Sequence, residues 1–151
     1  MNHDEIYGRI TSVLDEEDDW ITAMATVACE LHNAFDHYHW TGFYRTTSPG
    51  ILKIGPYQGG HGCLVITFEN GICGAAARTG KTQNVLNVHD RPEHIACSST
   101  TNSEIVVPIK NSKGNVIAVL DVDSDELAAF SDEDVVLLER VCQFLEMQYH
   151  S

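Results

Sequence analysis

Basic residues are scarce in this chain. Nine lysines and arginines stand against 22 aspartates and glutamates, which gives a formal net charge of -13 at pH 7. A surface of that sign repels phosphate backbones and anionic lipids, so neither nucleic acid nor a membrane is an expected partner. No run approaches the roughly 18 apolar residues of a membrane span. The acidic first residues also lack the basic end and apolar stretch of a signal peptide, and we expect a cytoplasmic protein.

Linkers, repeats and phosphate-binding loops are missing as well. No Pro-, Gly- or Ser-rich stretch divides the 151 residues, and no segment repeats. The length is that of one domain, and a hydrophobic share of 43% is ordinary for a globular protein. Residues 1–151 are therefore interpreted as a single domain. Gly71 and Gly74 form no nucleotide-binding signature.

The five cysteines include no C-x2-C pair, and their odd number argues against a framework of structural disulfides. Cys29 and Cys142 fall on apolar stripes of predicted helices, so both are interpreted as core residues. Cys63, Cys73 and Cys97 lie outside those helices. Three interpretations stay open for these three: a zinc site, inert thiols in a ligand-sensing domain, or a redox-active set. The zinc site would need one of His61, His89 or His94 and has poor spacing.

The hydrophobic period changes along the chain. Helical spacing covers 18–35 and the segment after Ser131, where Asp134 completes a candidate capping box. Between them lie five strand-like runs and a short helix closed by Gly80; Pro108 indicates an edge strand or a bulge. Hairpin-joined strands with helices at the chain ends predict an α+β fold, a central antiparallel sheet with flanking helices. The loop 87–103 is interpreted as a lid or binding loop.

Three acids should converge on this sheet. Glu104 opens one strand, while Asp121 and Asp123 close its hairpin partner and point to one face. Cys97 arrives on the loop before them. Burial and mutual repulsion should raise at least one of the three pKa values and keep a proton available. Reduction of a sulfoxide needs such an acid, because a protonated S=O group makes the sulfur open to attack by a thiol.

Six motifs in their order resemble the free methionine-(R)-sulfoxide reductases, which are single-domain enzymes of the GAF fold. They are WTGFY (40–44), GPYQGGHGC (55–63), NGICGAAARTG (70–80), NVHDRPEHIAC (87–97), NSEIVVPI (102–109) and VLDVDS (119–124). The resemblance covers roughly residues 18 to 146. It departs from the family pattern at Ser98, where an acidic residue is common, and at the His61-Gly62 pair, where Pro-Ala-like pairs are common.

The resemblance implies a role for each of the three remaining cysteines. Cys97 matches the catalytic cysteine, Cys63 the principal resolving cysteine, and Cys73 a third cysteine that takes part in recycling. Backbone amides around 95–98 would meet the substrate carboxylate. His61 and His94 are interpreted as loop histidines rather than bases.

The resemblance also implies a substrate site. Glu104, Asp121 and Asp123 would hold the sulfoxide oxygen and the amino group, with Glu104 and Asp123 as the catalytic acids. Trp40 and Tyr44 would form an aromatic wall for the methyl end of the substrate.

The expected function is reduction of free L-methionine-(R)-S-oxide to L-methionine. Cysteine attack on the sulfoxide sulfur would give a sulfenic acid, then a disulfide, which thioredoxin recycles with NADPH and its reductase. No bound cofactor and no metal are expected, and a homodimer is compatible with the resemblance. The alternative is a GAF-fold sensor of small molecules or redox state without turnover.

Overall fold

The computed structural model describes residues 2–92, 94 and 99–149. This part of the chain contains helices that we number α1 (His3–Val13), α2 (Trp20–Ala34), α3 (Gly71–Thr79) and α4 (Asp132–Gln148). Its strands are β1 (Trp40–Ser48), β2 (Ile51–Gln58), β3 (Val65–Thr67), β4 (Gln83–Val85), β5 (Ser103–Lys110) and β6 (Val116–Ser124). One turn of 3-10 helix lies at Val88–Asp90. Within the described ranges, no helix is both long and apolar enough to cross a membrane.

The strands form one sheet in the order β3-β2-β1-β6-β5-β4, and every neighbouring pair is antiparallel. The predicted α+β fold with a central antiparallel sheet is thereby confirmed. The two predicted hairpins are β1–β2 and β5–β6, and they join through pairing of β1 with β6. The end of β6 that carries the aspartates therefore lies beside the start of β1 as well as the start of β5.

Side chains of the sheet alternate between two apolar layers. Phe43 and Leu120 point into the larger core, which α1, α2 and α4 cover. Trp40, Tyr44 and Val106 point to the opposite face, where α3 packs. The prediction that Trp40 and Phe43 point to opposite faces of the sheet is confirmed. They are three positions apart on one strand, and side chains an odd number of positions apart point to opposite faces.

Capping side chains explain where the helices begin and end. Asp19 precedes α2 and accepts a hydrogen bond from the backbone N–H of Thr22. Ser131 and Asp134 form the predicted capping box at the start of α4, a device that stabilises a helix by about 1 kcal/mol. Gly80 ends α3 in the left-handed region, with φ of 69°, where a glycine has no Cβ to clash.

Asp134 also ties α4 to the rest of the helical layer. Its buried carboxylate accepts a hydrogen bond of 2.7 Å from the Tyr38 hydroxyl, just before β1. His3 of α1 lies 3.0 Å from the same carboxylate, and His37 lies 3.3 Å from it. One acidic side chain thus connects both terminal helices to the segment that leads into the central strand.

The two helical cysteines differ in burial. Cys142 lies in the larger core among the side chains of α4, as predicted. Cys29 is exposed, so the prediction that it packs in the core is wrong. The buried stripe of α2 runs through Met24, Val27, Ala28 and Leu31. Each residue turns a helix by about 100°, and the step from Ala28 to Cys29 carries the thiol off that stripe.

Pro108 lies in β5, and the sequence predicts an edge strand or a bulge at this position. β5 lies inside the sheet and is not an edge strand. However, β4 pairs only with residues 104–106, and the register with β6 shifts between Ile109 and Lys110. Pro108, which has no backbone N–H, therefore lies in the part of β5 that pairs with β6 only.

Two short elements of the structure, β4 and the 3-10 turn, are not predicted by the sequence. β4 lies between α3 and the predicted 87–103 loop, and the loop itself contains the 3-10 turn. Each covers three residues, which is too short to leave a hydrophobic period in the sequence.

Candidate active site

Glu104, Asp121 and Asp123 come together at one end of the β5–β6 hairpin. Glu104 pairs directly with Asp123, and Asp121 pairs with Val106 two positions further along β5. All three side chains point to the face on which α3 packs, and all three line one cavity. Glu104 and Asp121 are buried, with 6% and 3% of their surface exposed. The convergence expected from the hairpin is therefore present in the structure.

Burial and repulsion divide the protons unevenly among these acids. Burial, followed by the charges of Asp123 and Glu104, raises the pKa of Asp121 well above its usual range. Burial and the charge of Glu104 do the same to the pKa of Asp123. Burial also acts to raise the pKa of Glu104, but the neighbouring His94 and hydrogen bonds from Asp121 and Asp123 outweigh it and lower that pKa. The arrangement favours a Glu104 carboxylate beside two carboxylic acids.

His94 is more than a loop residue. Its ring is 14% exposed, and Nδ1 lies 3.7 Å from Oε1 of Glu104. The sequence predicts that His94 is a loop histidine, and the spacing of the motif gives no sign of this contact. The histidine supplies a positive charge to Glu104 whenever it is protonated, which favours the ionised form of the carboxylate.

An aromatic stack forms the wall beside the acids. The ring centroids of Trp40 and Tyr44 are 5.9 Å apart, and those of Trp40 and Tyr57 are 5.4 Å apart at an interplanar angle of 18°. The indole N–H of Trp40 donates to the carbonyl of Gly60 over 2.8 Å. Trp40 and Tyr44 both line the cavity, whereas nothing in the sequence indicates that Tyr57 joins the stack. It reaches the stack by pairing with Gly42 across β1–β2.

Glycines let the segment 59–62 lie directly on this stack. Gly59 has φ of 116°, a backbone conformation that residues other than glycine rarely adopt. A Cβ atom at Gly62 would come within 2.9 Å of the Tyr44 hydroxyl and 3.0 Å of the Trp40 ring. The glycines in QGGHGC thus allow the loop to contact the aromatic wall closely. Cys63 follows the last of these glycines directly.

The cysteines of the site differ in state. Cys63 is half-buried and disulfide-bonded. Cys73 is a free thiol on α3 and is buried at the cavity. Burial, and then the charges of Asp121, Glu104 and Asp123, raise the pKa of the Cys73 thiol. Cys97, and the 95–98 segment expected to meet a substrate carboxylate, lie outside the described residues.

The cavity is small and polar at its floor. Its volume is about 30 Å³, which is room for one or two water molecules. Oδ1 of Asp121 and Oδ1 of Asp123 have no hydrogen-bond partner in the part of the chain that the structure describes. Cys73, Glu104 and Asp121 place a sulfur and two carboxylate oxygens within 4.8 Å of one another. The site thus offers proton donors, a carboxylate, an apolar wall and a thiol in one enclosure.

Comparison with known proteins agrees with this geometry. The family model described as GAF domain matches residues 19–149. The solved structure of the free methionine-R-sulfoxide reductase of Neisseria meningitidis, in complex with its substrate, matches with a TM-score of 0.92 at 40% identity. That match covers 97% of this chain and 87% of the other.

Two curated relatives carry the same description. The free methionine-R-sulfoxide reductase of Escherichia coli is 33% identical, over 97% of this chain and 90% of its own length. That of Saccharomyces cerevisiae is 32% identical, over 96% of this chain and 86% of its own length. This chain is a GAF-domain protein and belongs to the family of the free methionine-R-sulfoxide reductases.

Proposed function

We propose that this protein reduces free L-methionine-(R)-S-oxide to L-methionine and returns to its reduced state through a cysteine disulfide. The observation that carries the proposal is that Asp121 and Asp123 line one cavity together with Trp40 and Tyr44. At about 30 Å³ this cavity is smaller than the substrate, so the side chains around it must move apart when the substrate binds. A methyl sulfoxide has an oxygen that accepts hydrogen bonds and a methyl group that is apolar. Carboxylic acids and an indole face are matched to those two ends.

The acids take different roles in this proposal. Asp123 and Asp121, whose pKa values are raised, favour their protonated forms and donate to the sulfoxide oxygen. Glu104, whose pKa is lowered, stays ionised and receives the ammonium group of the amino acid. A positioned general acid contributes a factor of about 10²–10⁴ to such a step. His94 supports the assignment, because it lies beside the one acid that should remain charged.

The covalent steps run through Cys97 and Cys63. The sulfur of Cys97 attacks the sulfoxide sulfur, the S=O oxygen passes to the cysteine as a sulfenic acid, and methionine leaves. The thiol of Cys63 then attacks the sulfenic sulfur, water departs, and a disulfide remains. The family resemblance of GPYQGGHGC and HIAC supports these roles, and the disulfide-bonded state of Cys63 is consistent with a resolving cysteine.

Recycling needs an external dithiol, and thioredoxin with NADPH and its reductase is the proposed source in the cytoplasm. Two thiol–disulfide exchanges return both electrons of one turnover. The cysteines hold those electrons in between, so the cycle needs no bound cofactor. Cys73 is the proposed third cysteine, and its burial and raised pKa slow its thiol–disulfide exchange.

Consumption of NADPH in a mixture with thioredoxin and thioredoxin reductase tests the proposal. We expect turnover with free R-sulfoxide and none with free S-sulfoxide or a peptide-bound sulfoxide. A Cys97→Ser variant is the matched control for consumption that does not depend on the site. Binding of the R-sulfoxide without any NADPH consumption would instead favour a GAF-fold sensor.

A further inference from the structure

The floor of the cavity combines a thiol with two carboxylates from three separate elements. Cys73 comes from α3, Glu104 from β5 and Asp121 from β6, and one potential donor atom of each lies within 4.8 Å of the others. All three residues are buried. The tertiary structure brings these three residues together. The spacing of cysteines and histidines along the chain does not predict the group.

The same group contains a polar atom without a partner. Asp121 is 3% exposed, and its Oδ1 has no hydrogen-bond partner among the residues that the structure describes. A buried carboxylate oxygen without a hydrogen-bond partner is energetically unfavourable. It faces a cavity of about 30 Å³, a space that suits an ion or a water molecule. Nδ1 of His94 is a second buried atom without a partner in the described ranges, and it lies 3.7 Å from Glu104.

We propose that Cys73, Glu104 and Asp121 bind a divalent cation of the Zn²⁺ type, and that the cation inhibits the enzyme by occupying the groups that receive the substrate. One thiolate with two carboxylates suits Zn²⁺ or Cd²⁺ better than Mg²⁺ or Ca²⁺, which select oxygen alone. Sulfur and oxygen donors of a tetrahedral zinc site lie about 3.6 Å apart. The three side chains therefore need to move together by about 1 Å, and His94 offers a fourth donor.

This cation is an inhibitor and not a resident cofactor. Binding ionises the Cys73 thiol and any carboxyl that still holds its proton, so protons leave as the ion enters. The other titratable groups that line this cavity are Tyr44, His61, His94 and Asp123, and the added positive charge acts on each of them. The inhibitory consequence rests on the proposed function, whereas binding of the ion does not.

Titration with Cd²⁺ tests the binding, because a cadmium–thiolate bond gives an ultraviolet charge-transfer band. The protein is kept without reductant, so that Cys63 remains in its disulfide. We expect one Cd²⁺ per chain with the band present. Cys73→Ser should lose the band, and Asp121→Asn should keep it while weakening affinity by about tenfold or more.

Two control variants exclude other thiols. Cys29→Ser removes the exposed thiol and should bind Cd²⁺ like the parent. A Cys63→Ser/Cys97→Ser double variant removes the proposed redox pair and should also keep the band. Absence of a band in the parent, or a band that persists in Cys73→Ser, would overturn the site.

Inhibition is measured separately during turnover. Zn²⁺ should raise the KM for the sulfoxide without lowering kcat, and Mg²⁺ at the same concentration should do neither. Zn²⁺ that binds but leaves KM unchanged would overturn the inhibitory part. If the protein showed no reductase activity at all, the Cd²⁺ titration would still decide the site, which separates this inference from the proposed function.

Discussion

Glu104 on β5 and Asp123 on β6 are directly paired across the hairpin, and both side chains line the same cavity. Two negative charges in directly opposed positions of a sheet destabilise it. The pair is compatible with a stable sheet because the pKa of Asp123 is raised while that of Glu104 is lowered, so that one proton is shared between them. The proposed chemistry uses this division, with Asp123 as the acid and Glu104 as the anion.

Asp123→Asn should lower kcat for the R-sulfoxide by about 10²-fold or more. The amide can donate a hydrogen bond to the oxygen, but it cannot transfer a proton. Glu104→Gln should instead act mainly through KM, since it removes the anion proposed to meet the ammonium group. Steady-state kinetics of both variants check the division. Rates within about threefold of the parent for Asp123→Asn would remove this residue from the mechanism.

Asp121→Asn should stabilise the protein at neutral pH by about 1 kcal/mol while it impairs activity. Burial raises the pKa of Asp121 in the folded state. The folded chain therefore holds this proton more tightly than the unfolded chain, and the contribution of Asp121 to stability falls as pH rises above the ordinary carboxyl value. Urea denaturation at a series of pH values measures the effect. An asparagine variant that is less stable than the parent at neutral pH would contradict this sign.

Gly62→Ala should reduce kcat/KM by about 10²-fold, the scale of a small misplacement in a site. The added Cβ would meet the Tyr44 hydroxyl and the Trp40 ring, and relief of that clash would shift the segment leading to Cys63. Gly60→Ala is the matched control, because a Cβ at Gly60 has no atom within 4 Å among its described neighbours. Equal activity of the two variants would show that the close contact at Gly62 does not position the site.

Variants of the two helical cysteines should keep turnover, and only the variant of the buried one should lose stability. Cys142→Ala should cost about 1–3 kcal/mol of unfolding free energy, because it removes a buried side chain from the larger core, and should keep turnover. Cys29→Ser should change neither, since this thiol is exposed. Denaturation curves and the thioredoxin-coupled assay check both. Loss of turnover by a folded Cys142→Ala protein would contradict the structural role.

The sequence was sufficient to predict the acid cluster because two local rules locate it. Alternation along β6 gives Asp121 and Asp123 a common face, and a hairpin brings the start of β5 beside the end of β6. Neither rule requires knowledge of the rest of the fold. The capping box at Ser131 is similarly local, which is why both predictions are confirmed.

Contacts that depend on register or on loop conformation were not predictable. Tyr57 reaches Trp40 only through the β1–β2 register, which shifts between Gly42 and Tyr44. His94 approaches Glu104 from a loop without periodicity. Cys29 was assigned to the wrong side of α2 because a single step around a helix separates the buried stripe from solvent.

The most direct test of the central claim is the yield of methionine from Cys63→Ser in a single turnover without reductant. Attack on the sulfoxide needs only Cys97, so the variant should release about one methionine per chain and retain a sulfenic acid at position 97. Dimedone labelling and mass spectrometry should find the adduct at that position, and thioredoxin alone should not restore steady turnover. Release of no methionine, or a dimedone adduct at a position other than 97, would contradict the account.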